Sequence, residues 1–530
     1  MSIVERMARV SDRQLATLIG GVLLVLAGWP LLFLQVPPYQ DLPGHMATVC
    51  VLLNPERYPE FSSNGWLKAN SLFLGLLYVA AKAVGVVDAA RIVCALVLGA
   101  TAVALPHFVL AFTDRRRLLV ASLVMAPMVH HWFILMGMLG FALALPLGLA
   151  ATVLLARQAA QPSVLRGLLL GALAALLWFS HAIVLLLVGL LAAIEALTQP
   201  NWRAKVSTAA ALLTPFAPVA ALLVVTIVRQ TGSAYGQEWG RLDAVGYQTN
   251  FSAVYALWAH EFFGLSPLSA AGLIPAVALA VMAARNARLR VPMFSLCAFA
   301  ALGGIYWFFP HTLPAFGYVS ERAIPFLWAW ALVHVPPRVA PWAARLLVLG
   351  CLGWAAGLAV DLFRAEKDLF AFTAAAPEVP VGARMLTLNF EPRVSSRNTW
   401  SLLHASGMYT VLRAVKPQDV WADSPSMPIR HSAPPAFVDD PVSVRSFLAA
   451  ARTPATYCET LRRAGLRDVD CTQGWATAWA GFWNDAATRY DYVLLWGAPA
   501  EVQATAPASY APQMSRGRLT LLGRSAPASR

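Results

Sequence analysis

The chain has 530 residues, of which 58% are hydrophobic and only 13% are charged, and its formal net charge is +13. Soluble globular proteins carry a charge on roughly a quarter of their residues, so this composition excludes an ordinary soluble enzyme and indicates a membrane protein. The positive charge does not indicate nucleic-acid binding, because the Arg residues mainly form short clusters between apolar runs, such as Arg115–Arg117. Such clusters are typical of the cytoplasmic loops of membrane proteins.

The N-terminal segment predicts a first membrane span that is retained. Three arginines precede an apolar run over 15–36, which is about long enough to cross a bilayer. The run ends at Pro37-Pro38 and lacks the small-x-small pattern of a signal-peptide cleavage site. We therefore predict that the N-terminus faces the cytoplasm.

Apolar runs recur along the first two thirds of the chain, and each predicts a helix, because a backbone in lipid must satisfy its own hydrogen bonds. The basic loops over 157–166, 203–205 and 285–290 and at Arg338 are predicted to be cytoplasmic. The apolar runs are 15–36, 70–87, 90–113, 118–135, 138–156, 166–180, 182–198, 206–228, 264–284, 291–309, 322–335 and 340–363.

The number of these runs conflicts with the predicted position of the C-terminal segment, which is outside. Twelve spans would return the chain to the cytoplasm, and the discrepancy lies between residues 70 and 157. Either one run there is re-entrant or fused, or Arg115–Arg117 lie outside against the positive-inside rule. We predict an odd total of eleven or thirteen spans.

The distribution of acidic residues predicts two domains. Thirteen of the 27 acidic residues occur up to Phe363 and the other fourteen follow in less than a third of the chain. We predict a transmembrane domain over 1–363, with a first outer loop over 37–69, and a soluble extracytoplasmic α/β domain over 364–530.

Within the C-terminal domain, short β-rich segments at Met385–Leu388, Tyr492–Trp496 and Leu519–Leu522 predict strands, and 441–464 predicts a helix. Cys458 and Cys471 would form a disulfide if this domain faces an oxidising compartment. Their spacing alone leaves the pairing open.

The first outer loop contains the most informative residue, Asp41, which lies just after the first predicted span. A carboxylate at the membrane–water boundary is partly desolvated and can act as a general base toward an acceptor hydroxyl. The alternative is a helix N-cap or a surface turn residue. A helix lying on the surface is predicted over 45–53.

The order of these elements resembles the GT-C superfamily of membrane glycosyltransferases. Its members share a first span, a large outer loop with surface helices and an essential Asp near its start, then many further spans. Asp41 matches that Asp by position, and Tyr39 and His45 belong to the matching loop, which has the form acid-x-Pro-x-His. The chain departs from better-known members, because it lacks an adjacent acidic pair after the first span and a Trp-Trp-Asp motif in the C-terminal segment.

The resemblance implies inverting transfer of a sugar from a polyprenyl-phosphate-linked donor to an envelope or glycolipid acceptor. The reaction would take place on the outer face of a bacterial inner membrane. The donor, a glycan or lipid acceptor and membrane lipids are the expected partners. No cofactor is indicated, and a divalent cation is neither indicated nor excluded.

Other residues at predicted outer boundaries could complete such a site. Arg322 could bind a lipid phosphate, because guanidinium matches phosphate oxygens in a bidentate way, or it could pair with Glu321. His260 and Glu261 precede a span and could position a substrate or form a loop salt bridge. His181 is predicted to lie at a hairpin tip, either at the membrane interface or in contact with the substrate.

Two other functions remain open at this stage. A transporter or flippase is disfavoured, because the spans carry few charges and no two halves look alike. A non-catalytic envelope assembly protein would use the C-terminal domain, where we find no binding motif.

Overall fold

The computed structural model describes residues 10–230, 245–286, 293–313, 317–396, 398–418, 420–422, 424, 426–464, 466 and 470–524. It has a long helical part that precedes a small mixed domain, which confirms the predicted polytopic helical membrane fold with a C-terminal α/β domain. Arg288 and Arg290 of the predicted basic loop lie outside the described residues, and so do residues 231–244, which belong to a long loop over 229–263 that the sequence predicts to face outward.

The helical part contains seventeen α-helices within the described ranges. They are α1 Asp12–Gly28, α2 Leu42–Leu53, α3 Leu72–Val84, α4 Val86–Phe112, α5 Arg115–Ser122, α6 Ala126–Val129, α7 Trp132–Leu135, α8 Leu139–Ala160, α9 Val164–Ser180, α10 Ala182–Leu197, α11 Trp202–Leu213, α12 Ala217–Gln230, α13 Asn250–Phe262, α14 Leu273–Asn286, α15 Met293–Phe308, α16 Ile324–Val333 and α17 Pro341–Phe372.

Six helical segments of the described chain are long and apolar enough to cross a membrane by themselves. Several other apolar helices are shorter, including α9, α10 and α15. The total of eleven or thirteen spans therefore stays a prediction. The six segments are Asp12–Leu32, Val86–Phe112, Leu139–Ala160, Trp202–Thr226, Pro267–Asn286 and Pro341–Glu378.

The apolar run over 118–135, predicted as one continuous span, is broken. Helix α5 and the segment Ala126–Leu135 meet at an angle of 80°. Pro127 lies in the first turn after the break and removes a backbone donor, which favours a new helix start there. The break lies within 70–157, where the sequence places the topological discrepancy.

Helices α1 and α4 are antiparallel neighbours. Arg91 near the start of α4 donates to the carbonyl of Leu32 at 3.4 Å, and Arg115 just beyond its end donates to Val10 at 2.7 Å. Arg115 therefore lies at the N-terminal end of α1, which favours a broken span over a reversed Arg115–Arg117 cluster.

The helix predicted over 45–53 forms as α2, but it is largely buried and does not lie on the surface. A C-terminal helix, α18 (Gly407–Arg413), packs against it. Strand β1 (Phe61–Ser63) of the first loop also pairs antiparallel with β3 (Ile429–His431). The C-terminal part thus covers the first loop, a contact between distant segments that no local pattern could reveal.

The C-terminal domain contains a four-stranded sheet whose order is β2-β4-β6-β5. Its strands are β2 Met385–Asn389, β4 Tyr492–Trp496, β5 Tyr510–Arg516 and β6 Leu519–Arg524, and three of them are the predicted strands. Only β2 and β4 run parallel. Helix α17 passes through the predicted boundary near Arg364 and joins the two parts without a break.

The helix predicted over 441–464 is two helices, α19 Pro441–Ala450 and α20 Pro454–Arg463. The division is expected, because Pro454 starts a helix well and Thr453 caps it by accepting from the backbone N–H of Thr456. Helices α21 Cys471–Arg489 and α22 Ala500–Ala504 follow. Cys458 and Cys471 form a disulfide, with their Cα atoms 5.2 Å apart.

Candidate functional site

A cavity of about 450 Å³ lies where the first loop, the broken span and the C-terminal segment meet. Cavities of this size are typical of small-ligand sites. Among the described residues, its polar lining contains one acidic residue, Asp41, together with two arginines and three histidines. The polar and aromatic lining residues are Gln40, Asp41, His45, Asn70, Phe73, Trp132, Phe141, His181, Tyr318, Arg322, Arg393, Asn398, Thr399, Trp400, His404, Trp421, Ser424 and Ser426.

Asp41 occupies the N-cap position of α2, but its side chain makes no capping hydrogen bond. Its Oδ1 accepts from Gln40 Nε2 at 3.2 Å and lies 3.5 Å from His404 Nε2. The Oε1 of Gln40 accepts from the backbone N–H of Trp400 at 2.9 Å, which ties this loop to the C-terminal segment. The carboxylate therefore contacts side chains that line the cavity and does not cap α2.

The broken span fixes the backbone of Asp41. The N–H of Asp41 donates to the carbonyl of Met136 at 3.2 Å, and that of Gln40 donates to Leu135 at 3.1 Å. Gly137 follows with a φ of +75°, and a Cβ there would lie 2.9 Å from the Asp41 Cα. Both the left-handed conformation and this close approach require glycine.

His45 is one turn after Asp41 and is packed between rings. Its ring centroid lies 5.1 Å from that of Trp421 and 5.4 Å from that of Phe73. Burial lowers the pKa of His45 to about 4; a backbone hydrogen bond with Gly137 opposes the shift and the nearby His404 adds to it. His45 is therefore neutral at pH 7, and its ring can donate one hydrogen bond and accept another.

Arg322 brings a buried positive charge to the same cavity. It is 7% exposed, donates to the carbonyls of Gly317 at 2.8 Å and Tyr318 at 3.2 Å, and lies over the Phe141 ring. In the described structure its Nε has no hydrogen-bond partner, nor does the buried Nδ1 of His181. Arg322 Nε–H is an unpaired donor, and His181 Nδ1 is a second one in the tautomer that carries its proton there, so an anionic ligand group could accept from both.

His181 occupies the break between α9 and α10. The carbonyl of Trp178 accepts from the N–H of Asn70 at 3.1 Å, and the side chain of Asn70 accepts from the N–H of Ala182 at 3.0 Å. Asn70 thus bridges the two helix ends around His181. His181 therefore lies at a helix junction and lines the cavity, and its predicted role toward a substrate stays a prediction.

Four of the sequence-predicted site residues do not line the cavity. Tyr39 is fully buried and its hydroxyl bonds to His130 Nε2 at 2.9 Å, while His130 Nδ1 donates to the carbonyl of Ala27 at 2.8 Å. Because Nδ1 is then the donor nitrogen, the Tyr39 hydroxyl donates to Nε2. Tyr39 therefore anchors the loop on α1.

The other three lie behind the cavity wall. Glu321 is buried, contacts His311 and accepts a hydrogen bond from Gln248. Glu261 is 1% exposed, and neither of its carboxyl oxygens has a hydrogen-bond partner in the described structure. His260 stacks on Trp132 with ring centroids 3.7 Å apart, so it supports a wall of the cavity.

Strained backbone conformations concentrate at the cavity. Among the described residues, four that are not glycine have positive φ, and three of them line it: Asn70 (64°), Tyr318 (57°) and Trp421 (48°). A positive φ is tolerated by Asn but is costly for bulky side chains such as Tyr318 and Trp421, and strained residues of this kind cluster at functional sites.

The C-terminal segment contributes residues that sequence reasoning missed, chiefly His404, Trp400 and Trp421. They lie in irregular structure between β2 and β3, and no motif marks them. Arg393 lies over the Trp400 ring, 5.3 Å from its centroid, at the open side of the cavity. Within the described ranges, no three His, Cys, Asp or Glu residues are arranged to bind a metal ion.

Comparisons with known proteins give one structural likeness. No family model and no curated protein matches the chain. The chain is similar to the arabinofuranosyltransferase AftD from mycobacteria, solved by single-particle cryo-EM, with 14% identity and a TM-score of 0.49. The match covers 98% of this chain and 40% of that protein. At this level the likeness assigns neither a substrate nor a reaction.

Proposed function

We propose that the protein is a membrane glycosyltransferase that transfers a sugar from a polyprenyl-phosphate-linked donor to an envelope or glycolipid acceptor. The proposal places the reaction on the outer face of a bacterial inner membrane. The observation that supports it is the meeting of Asp41 and Arg322 on one cavity, because the reaction needs a base for the acceptor and a cation for the departing phosphate.

In this proposal Asp41 accepts the proton of the acceptor hydroxyl. The hydroxyl oxygen forms a bond to the anomeric carbon while the bond from that carbon to the phosphate oxygen breaks, and its electron pair leaves with the phosphate. Attack from the face opposite the phosphate inverts the configuration. No cofactor is required, because the phosphate is already a good leaving group.

Arg322 and His181 would receive the lipid phosphate. The guanidinium is held by two carbonyls, and so it is positioned before the ligand arrives. A preorganised cation stabilises the negative charge that develops on the departing oxygen without a reorganisation cost. The hydrogen-bonding capacity left at Arg322 Nε and His181 Nδ1 is available for phosphate oxygens.

Aromatic rings of the cavity would bind the sugar and the acceptor. Trp132, Trp400 and Trp421 line it, and Trp400, which is 43% exposed, marks its open side. Sugar-sized ligands are commonly held by such apolar faces together with a few polar groups that fix orientation. Trp400 is therefore assigned to the acceptor side.

The test replaces Asp41 with Asn. The variant and the wild type are expressed in a strain from which the gene is deleted, and surface glycans and glycolipids are compared by mass spectrometry. We expect the deletion to remove one sugar, the wild type to restore it, and Asp41→Asn to reduce its incorporation by about 100-fold or more, as for the loss of a general base.

A matched control is Asp12→Asn, because Asp12 is an exposed carboxylate at the other end of α1, paired with Arg115 at 3.0 Å. This control should restore the sugar fully. Full restoration by Asp41→Asn, in protein that is folded by size-exclusion chromatography, would refute catalysis at Asp41. Unchanged glycans and glycolipids in the deletion strain would refute the proposed glycosyltransferase function.

A further inference from the structure

A second cavity, of about 540 Å³, lies in the helical part and shares no lining residue with the cavity that contains Asp41. Its walls are apolar side chains of α4, α8 and α9, such as Phe108, Val153 and Leu173. Two arginines, Arg13 and Arg157, line the same cavity. An apolar cavity with cations on its lining calls for an amphipathic ligand.

The second cavity lies toward the opposite end of the helices from Asp41. Arg13 is in the first turn of α1, whereas Asp41 follows the end of that helix. Arg157 is in the last turn of α8, whereas Leu139 at its start lines the first cavity. A helix of 22 residues such as α8 is about 33 Å long, so the two ends are separated by the thickness of a bilayer core.

The charges of the second cavity are not balanced by the described chain. Arg13 and Arg157 are exposed, neither takes part in a salt bridge within the described ranges, and the described lining of the cavity has no acidic residue. Asp12, next to Arg13, is already paired with Arg115. An anionic group from another molecule would therefore gain two favourable charge interactions.

The apolar walls of the second cavity favour a lipid over a free anion as its ligand. The α9 side of the cavity presents Leu169, Ala172 and Leu176, which are exposed although they lie on an apolar helix. A free phosphate would leave these surfaces without a partner, whereas an acyl chain would cover them. Both parts of the cavity are satisfied by one molecule that has an anionic head group and a hydrocarbon chain, as an anionic phospholipid has.

We propose that this cavity binds one anionic phospholipid, with an acyl chain against α4, α8 and α9 and its phosphate at Arg13 and Arg157. The bound lipid would join α1 to the α8–α9 pair at the membrane face remote from Asp41. This assignment does not depend on the proposed glycosyltransferase reaction, and its test needs no activity measurement.

The experiment titrates purified, delipidated full-length protein with lipid and counts bound molecules by native mass spectrometry. The probes are phosphatidylglycerol, phosphatidylcholine with the same chains, and inorganic phosphate. We expect one phosphatidylglycerol to bind at concentrations at which phosphatidylcholine and phosphate do not. Arg13→Ala with Arg157→Ala should weaken it roughly 30-fold, as about 1 kcal/mol for each cation implies.

Three further variants make the result specific. Arg203→Ala with Arg338→Ala, two exposed arginines outside the cavity, should leave binding unchanged. Arg13→Lys with Arg157→Lys keeps both charges and should retain most of the affinity, which separates loss of charge from misfolding. Ala172→Trp fills the apolar wall and should also abolish lipid binding.

Several results would overturn the proposal. Equal binding of phosphatidylcholine would show that the two arginines do not select an anionic lipid. Unchanged phosphatidylglycerol binding by the double alanine variant would show the same. Competition by inorganic phosphate at the lipid's own binding concentration would make the cavity a free-anion site. Undiminished binding by Ala172→Trp would place the acyl chain elsewhere.

Discussion

The side chain of Asp41 has an unusual position for an N-cap residue. An Asp that caps a helix normally accepts from the second or third backbone N–H, which stabilises the helix by about 1 kcal/mol. Asp41 makes no such bond and contacts Gln40 and His404 instead. The structural alternative that the sequence leaves open, a simple N-cap, therefore does not describe this residue.

His45 gives a prediction at the same scale, because its folded pKa of about 4 lies below its ordinary value of 6.5. The unfolded chain binds a proton between these two values and the folded chain does not, so acid favours unfolding. The contribution of His45 to stability is complete above pH 6.5 and is lost as the pH falls toward 4. We expect a loss of roughly 2 kcal/mol, reduced from the full shift because the ring is partly accessible.

The measurement compares the wild type with His45→Phe, which keeps a ring of similar size between Phe73 and Trp421 but cannot titrate. Thermal unfolding in detergent is followed by tryptophan fluorescence at pH 7 and pH 4.5. The wild type should lose several degrees more than the variant on acidification. Equal losses in both proteins would mean that the ring of His45 is already protonated or already solvated when folded.

At the scale of elements, the site depends on the contact between α18 and α2. Gly407 at the start of α18 has the carbonyl carbon of Pro43 2.6 Å and the nitrogen of Gly44 3.1 Å from the place of a Cβ. Any side chain at Gly407 would move α18 away from the first turn of α2. His404, three residues before Gly407, would then move away from Asp41.

We therefore predict that Gly407→Ala destabilises the protein by about 1–3 kcal/mol, the usual cost of overpacking, and reduces sugar transfer. The control is Gly481→Ala, because Gly481 lies in α21 with no atom within 4 Å of a Cβ. That change should stabilise the helix slightly, by roughly 0.5–1 kcal/mol. Thermal unfolding and sugar incorporation are measured for both, and unchanged transfer by Gly407→Ala would contradict the positioning role of α18.

The same contact shows what sequence could and could not predict. Apolar runs predict most helices of the first part, and short segments rich in β-forming apolar residues predict β2, β4 and β6, because these signals are local. The position of Asp41 after the first span predicts a site in the first loop. His404 and Trp421 reach that loop only through the pairing of β1 with β3 and of α2 with α18, and such pairings between distant segments leave no local pattern.

At the scale of the whole molecule, the two membrane faces differ in chemistry. The end that carries Asp41 has the first cavity. The C-terminal domain begins at the same end, because Glu366 near the end of α17 accepts from the backbone N–H groups of Gln35 and Val36, which precede Asp41. The other end carries Arg13, Arg115 and Arg157. An excess of Arg at one end predicts that this end is cytoplasmic.

This polarity predicts the labelling of introduced cysteines in spheroplasts. Val381 follows the C-terminal end of α17 and is 66% exposed, whereas Gln161 follows α8 at the arginine-rich end and is exposed. In a Cys297→Ser background, whose other free cysteines in the described structure are buried, a membrane-impermeant maleimide should label Val381→Cys in intact spheroplasts. Gln161→Cys should be labelled only after permeabilisation. The reverse pattern would place Asp41 in the cytosol, where a general base could not act on an acceptor at the outer face. That result would refute the proposed reaction. The lipid site at Arg13 and Arg157 would still be testable.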